Sequence, residues 1–200
     1  MIYRYRPPML KVIAISIMAF SSVFLLSMSG VYHMLEPSGT GRAVLHRLDH
    51  AAIFVLIAGT FTTVHLAMFK GAWRWGMIAF IWFVAITAIV FKSIFFNDFP
   101  EWLGLSLYIA LGWFGIISAI RLWKSYGFNL IKPLFYGGVA YSLGAIIDFL
   151  QHPIVINGII GPHEIFHFAV LAGIGFHWKF IYQAFFYTED TYGFTQPAAA

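Results

Sequence analysis

Two histidines four residues apart, His163 and His167, open the last long apolar stretch of this 200-residue chain. On a helix, residues i and i+4 share a face one turn apart. Two imidazoles at that spacing can bind one divalent metal ion. The chain contains no cysteine, so thiolate ligands are excluded, and a metal would rely on histidine, carboxylate and water. The stretch His163–Glu164–Ile165–Phe166–His167 also spells the His-Glu-x-x-His pattern of metalloproteases, in which the glutamate is the general base. That reading still needs a third ligand, and it leaves two other polar residues of the apolar segments without a role. These are His33, near the end of the first apolar run, and Asp49, near the start of the second. Both have plainer readings, His33 as an interfacial histidine and Asp49 as a helix-end charge facing headgroups. Ser29, one turn before His33, is a second polar group on that face. Serine in a membrane helix commonly bonds its own backbone.

These residues have to be positioned by membrane-spanning helices. The chain is 60% hydrophobic and 10% charged, with 22 Phe and seven Trp, whereas a soluble domain is about 25% charged. The expected fold is therefore all-α, a polytopic transmembrane helical bundle around a buried metal site near one membrane face. A span needs about 20 mostly apolar residues, and six such runs are visible, at approximately 12–35, 49–69, 75–96, 102–120, 133–150 and 163–187. Arg4 and Arg6 before the first run imitate a signal peptide, but the run exceeds the roughly 7–15 residues of a signal core and reads as a retained span. Together the spans make one domain, 1–187, and 188–200 reads as a flexible tail. Pro133 is expected in the first turn of its helix. Arg121, Lys124 and Lys132 are expected in the loop before it.

Six alternating spans put the loops on two sides. His33, Asp49, His163 and His167 then fall at one membrane face, although nothing in the choice of motifs required it. Nine of the twelve Lys and Arg fall on the side of the termini; Arg42, Arg47 and Lys92 are on the other. The positive-inside rule therefore puts both termini in the cytoplasm of a cell-membrane protein. Scattered basic residues of this kind do not suggest nucleic acid. His46 and His50 flank Asp49 at a spacing that suits a second metal or a proton relay, with loop and interface roles favoured over both. His65, His152 and His177 read as interfacial or packing residues. Asp148 is either a partner of the site or an interface charge. The small residues Gly137, Gly138 and Gly144 read as close helix packing.

Four ordered motifs carry a resemblance. They are Ser29–Gly30–Val31–Tyr32–His33; Arg47–Leu48–Asp49–His50–Ala51–Ala52–Ile53 with Ile57–Ala58–Gly59–Thr60; Gly137–Gly138–Val139–Ala140–Tyr141–Ser142–Leu143–Gly144; and His163–Glu164–Ile165–Phe166–His167. Over about residues 25–178 the chain resembles the hemolysin III family, relatives of the adiponectin and progestin receptors. The resemblance implies a seven-helix membrane protein with Zn2+ held by three histidines, mapping onto His33, His163 and His167. It also implies an aspartate that binds the zinc water, here Asp49, and a serine near the first ligand, here Ser29. This chain departs from the pattern twice. It shows six spans, lacking what corresponds to the first, and it reads Gly59–Thr60–Phe61 where the family commonly has proline after Gly-Thr. The receptors carry their zinc nearer the cytoplasm, whereas the charge count here puts the site on the outer side.

Three imidazoles leave one tetrahedral position on zinc for water, the catalytic pattern. The expected function is a zinc-dependent hydrolase of a lipid amide or ester that reaches the site from the bilayer, with Asp49 and Ser29 as catalytic residues. The alternatives are a non-enzymatic sensor or channel-like regulator of membrane state with a structural zinc, or a cytolytic protein.

Overall fold

The computed structural model describes residues 9–36 and 39–186. Expectations for Arg4, Arg6 and the 188–200 tail lie outside them. The described residues form seven α-helices. Six stretches are long and apolar enough to cross a membrane, as the hydropathy pattern predicts. The fold is that of an all-α, multi-pass membrane protein. Large apolar side chains such as Phe20, Phe83 and Ile94 are about two-thirds exposed, an arrangement that suits lipid rather than water. The chain divides into two compact units, Met1–Gly112 and Trp113–Ala200.

The first unit contains α1 (Met9–Met34), α2 (Thr40–Met68), α3 (Gly71–Ile94) and most of α4 (Glu101–Trp113). Helix α2 is its centre. Two-thirds of its apolar window is buried (67%), against 17% for α3. It packs closely because its inner face is small and its polar groups are satisfied. A Cβ on Gly59 would come within 2.5 Å of Ser21 Oγ on α1. Thr63 Oγ1 lies 2.9 Å from the Ala14 carbonyl of α1, and Trp82 Nε1 of α3 donates to Thr62 Oγ1 at 2.9 Å. Hydroxyls bonded across helices are a common adhesive where no water competes. Helix α2 runs through Gly59–Thr60–Phe61 as uninterrupted helix.

Helix α2 begins at Thr40 rather than near 49, so His46, Arg47 and Asp49 are helical residues and not a lead-in. Apolar content marks the part of a helix that lipid must cover. It does not mark where the hydrogen-bonded ladder starts. Arg42 shows how a polar first turn is used: its Nη1 donates to the Leu35 carbonyl at 2.6 Å and the Tyr32 carbonyl at 3.2 Å, closing the end of α1.

The second unit contains α5 (Ile116–Tyr126), α6 (Phe128–Leu150) and α7 (Pro162–Phe186). Helices α4 and α5 form one span, Glu101–Tyr126, broken at Phe114–Gly115. Two glycines, Gly112 and Gly115, lower helical propensity at the break, and Ala119 N–H bonds back to the Gly115 carbonyl at 2.9 Å. The span therefore ends at Tyr126, not 120, and Arg121 and Lys124 are helical. Their long stems let charged ends near a helix terminus reach the interface. Gly127, with φ +80°, turns directly into α6. Lys132 is thus helical too, and Pro133 sits inside α6 rather than in its first turn. A helix in a membrane tolerates an internal proline because neighbouring groups re-satisfy the freed carbonyl.

Glycine packs α6 against α7, as the small-residue pattern predicts. Added Cβ atoms would come within 2.5 Å of Ala169 Cβ at Gly144, 2.5 Å of the His177 ring at Gly137, and 2.6 Å of the Tyr141 ring at Gly173.

Candidate metal centre

Helix α7 begins at Pro162, and proline suits a first helical position. Glu164 Oε2 accepts the Gly161 N–H at 2.8 Å, so the carboxylate caps the helix start from the third position. This occupies Glu164 in a helix cap instead of the general-base role of the metalloprotease pattern.

Two histidine rings converge in the first two turns of this helix. His163 Nε2 and His167 Nε2 lie 3.1 Å apart, with ring centroids 4.5 Å apart and the planes steeply inclined. Asp148, near the end of α6, places Oδ1 3.0 Å from His163 Nδ1. A carboxylate accepts, so Nδ1 carries the proton and the lone pair of neutral His163 is at Nε2. Histidine ligands to zinc are ordinarily held this way, with the second nitrogen donating to a carboxylate. Two ligand nitrogens at about 2.05 Å from a tetrahedral ion are about 3.3 Å apart. The observed separation is close to that. The donors present in this unit could therefore hold a divalent metal ion: two converging imidazoles, one with a carboxylate behind it. Asp148 is the residue whose role the sequence left open. Its signal was a carboxylate at a span end on the site's side of the membrane, and only the pairing with His163 brings it to the candidate site.

The remaining predicted residues lie in the first unit. His33 is in the last turn of α1 and is exposed; Ser29 precedes it by one turn and is half-buried. The Tyr32 ring stacks on His46 at 4.7 Å, and His46 in turn packs against His50 at 4.7 Å and edge-on to Phe96 at 4.8 Å. Nδ1 of His50 lies 2.9 Å from the His46 carbonyl and so donates to it. His46 and His50 are thus packed among rings, in line with a structural role. Asp49 is half-buried on α2. Tyr108 of α4 donates to the His50 carbonyl at 3.3 Å. His65 is fully buried, with Nδ1 donating to the Phe61 carbonyl at 2.8 Å, and is a packing residue. His177 packs against Gly137 and, edge-on, Tyr141.

Comparison with known proteins gives a consistent picture. A family described as "Haemolysin-III related" matches residues 2–178. The chain is 39% identical to "Hemolysin-3" of Bacillus cereus over 129 residues, which is 63% of this chain and 54% of that protein. It is 33% identical to the "Hemolysin-3 homolog" of Bacillus subtilis strain 168 over 162 residues, 81% of this chain and 72% of that one. The chain thus spans little more than half the length of the first of these relatives. No solved structure matches it.

Proposed function

The chain belongs to the haemolysin III family, and from that premise we propose that it is a zinc-dependent hydrolase acting on an amide or ester bond of a lipid. In this reading His33, His163 and His167 are the three imidazole donors. The observation that carries it is the α7 pair, with Nε2 atoms 3.1 Å apart and Asp148 fixing the proton of His163. When bound by three histidines, zinc polarises a carbonyl and brings the pKa of its water down to about 7.

The chain's own residues supply the rest. Asp49 orients the attacking water and accepts its proton, the task of a carboxylate base. Ser29 holds a ligand or the water by hydrogen bonding from one turn behind His33. Asp148 keeps His163 in the tautomer that presents Nε2. The lipid-facing surface of the helices gives an apolar substrate a route that does not cross water.

Metal analysis of purified protein tests the donor set: wild type should carry about one zinc, and His167→Ala should carry very little. Turnover of a lipid-amide and lipid-ester panel tests the chemistry. Asp49→Ala should keep its zinc and lose activity; full activity in that variant would end the hydrolase reading. Zinc retained with no turnover of any substrate in wild type would favour a non-enzymatic membrane protein with a structural zinc. The names of the relatives add a cytolytic reading, for which release of dye from target vesicles by the purified protein is the direct measurement.

A further inference from the structure

Three basic residues run against the charge asymmetry of this chain: Arg42, Arg47 and Lys92 lie at the membrane face with few cations. Arg42 is used on the carbonyls at the end of α1. The other two line one shallow surface recess in the first unit, together with His50, Ser93, Phe54 and Phe96. Lys92 is held there by shape. Its Nζ lies 4.9 Å from the Tyr108 ring centre and 5.6 Å from that of Phe99. A Cβ at residue 104 would approach within 2.7 Å of the same atom, so Gly104 makes room for it.

The ammonium has three donors, and among the described residues no acceptor bonds to it. Glu101 of α4 attracts it electrostatically. The Arg47 guanidinium lies over the Phe96 ring at 5.1 Å and likewise makes no hydrogen bond among the described residues. Two half-buried cations facing one recess repel each other, and an anion held between them would offset that repulsion.

We propose that Arg47 and Lys92 form a phosphate-binding site, occupied by the headgroup of an anionic phospholipid. A guanidinium fork and an ammonium point charge are the two usual cationic partners of phosphate. Arg47 is seven residues beyond Thr40, about 10 Å into the helix, and Lys92 is two residues from the end of α3, so the recess sits at the level of lipid headgroups. Phe54 and Phe96 give its walls the apolar character that the glycerol end of a lipid needs. The Ser93 hydroxyl adds a donor at the rim. The site stands on residues of the first unit alone and does not depend on the metal centre.

The test uses the full chain reconstituted in mixed phosphatidylcholine and phosphatidylglycerol, then released into mild detergent for native mass spectrometry. Wild type should retain phosphatidylglycerol in preference to phosphatidylcholine. Arg47→Gln and Lys92→Gln should each reduce that retention about tenfold, the effect of losing a charged hydrogen bond, and Lys92→Arg should keep it. Comparison is restricted to variants that elute as folded protein; if Lys92→Gln does not fold, the half-exposed Arg47→Gln carries the test. In a second arm, inorganic phosphate is titrated into lipid-free protein. Saturable binding lost in the same variants, without phosphatidylglycerol preference, would keep the phosphate chemistry and replace the lipid by a soluble anion. Equal retention by wild type and the Arg47→Gln/Lys92→Gln double variant, with no phosphate binding, overturns the proposal.

Discussion

Asp148 accepts the Nδ1 proton of His163, and that bond decides which nitrogen of the ring carries a lone pair. In Asp148→Asn the side-chain oxygen still accepts, but the negative charge that raises ligand basicity is gone. Zinc affinity should fall about 10–100-fold, measured by competition with a chromophoric chelator. In the proposed hydrolase, the change at Asp49 would act on a different step. Asp49→Ala should leave zinc affinity within a few-fold of wild type and cut turnover by about 100-fold or more, so the two carboxylates are separable by comparing metal content with rate. Glu164 makes a third case. Because it caps α7 from an exposed position, Glu164→Gln, which can still accept the Gly161 N–H, should retain most activity. A general base of the metalloprotease kind would not survive that change.

Among the helices, glycine positions divide by what a side chain would meet. Gly144 faces Ala169 Cβ and Gly137 faces the His177 ring, both closer than a real Cβ can come. Gly144→Leu should therefore force α6 from α7 and destabilise the protein by about 1–3 kcal/mol, read as a lower melting temperature in detergent. Gly138, one residue along, has nothing within 4 Å, and Gly138→Ala should be close to neutral. The contrast shows that Gly137 and Gly144 read correctly as packing from sequence while Gly138 did not. Composition shows that a helix is slim, but only the neighbour shows which notch is filled. Pro133 teaches the complementary lesson. A proline after a basic residue looked like a helix start, but Gly127 with its positive φ lets α5 turn straight into α6 five residues earlier.

For the molecule as a whole, six alternating spans and the distribution of basic residues lead us to propose that both termini lie in the cytoplasm. Alkaline phosphatase fused after residue 98 or after residue 156 should be active, and fusions at the termini inactive; the reverse pattern would invert the orientation. If one zinc takes donors from α1 and α7 as proposed, it binds only the folded chain. Stripping it should then lower stability by about 2.7 kcal/mol at a free zinc level of one hundred times the dissociation constant. Chelator should accordingly depress the melting temperature of wild type and leave that of His167→Ala unchanged.

The sequence alone determined the class, the number of spans and the histidines worth attention. Twenty-two phenylalanines in a chain with little charge can be solvated only by lipid, and helical spacing puts His163 and His167 on one face whatever surrounds them. Tertiary structure decided everything that depends on a second element. The pairing of Asp148 with His163 joins residues 15 apart through the packing of α6 on α7. The exposed cap made by Glu164, the notch at Gly104 that admits Lys92, and the true start of α2 are likewise matters of local hydrogen bonding and close approach. Hydropathy averages over side chains and is blind to the direction in which any one of them points.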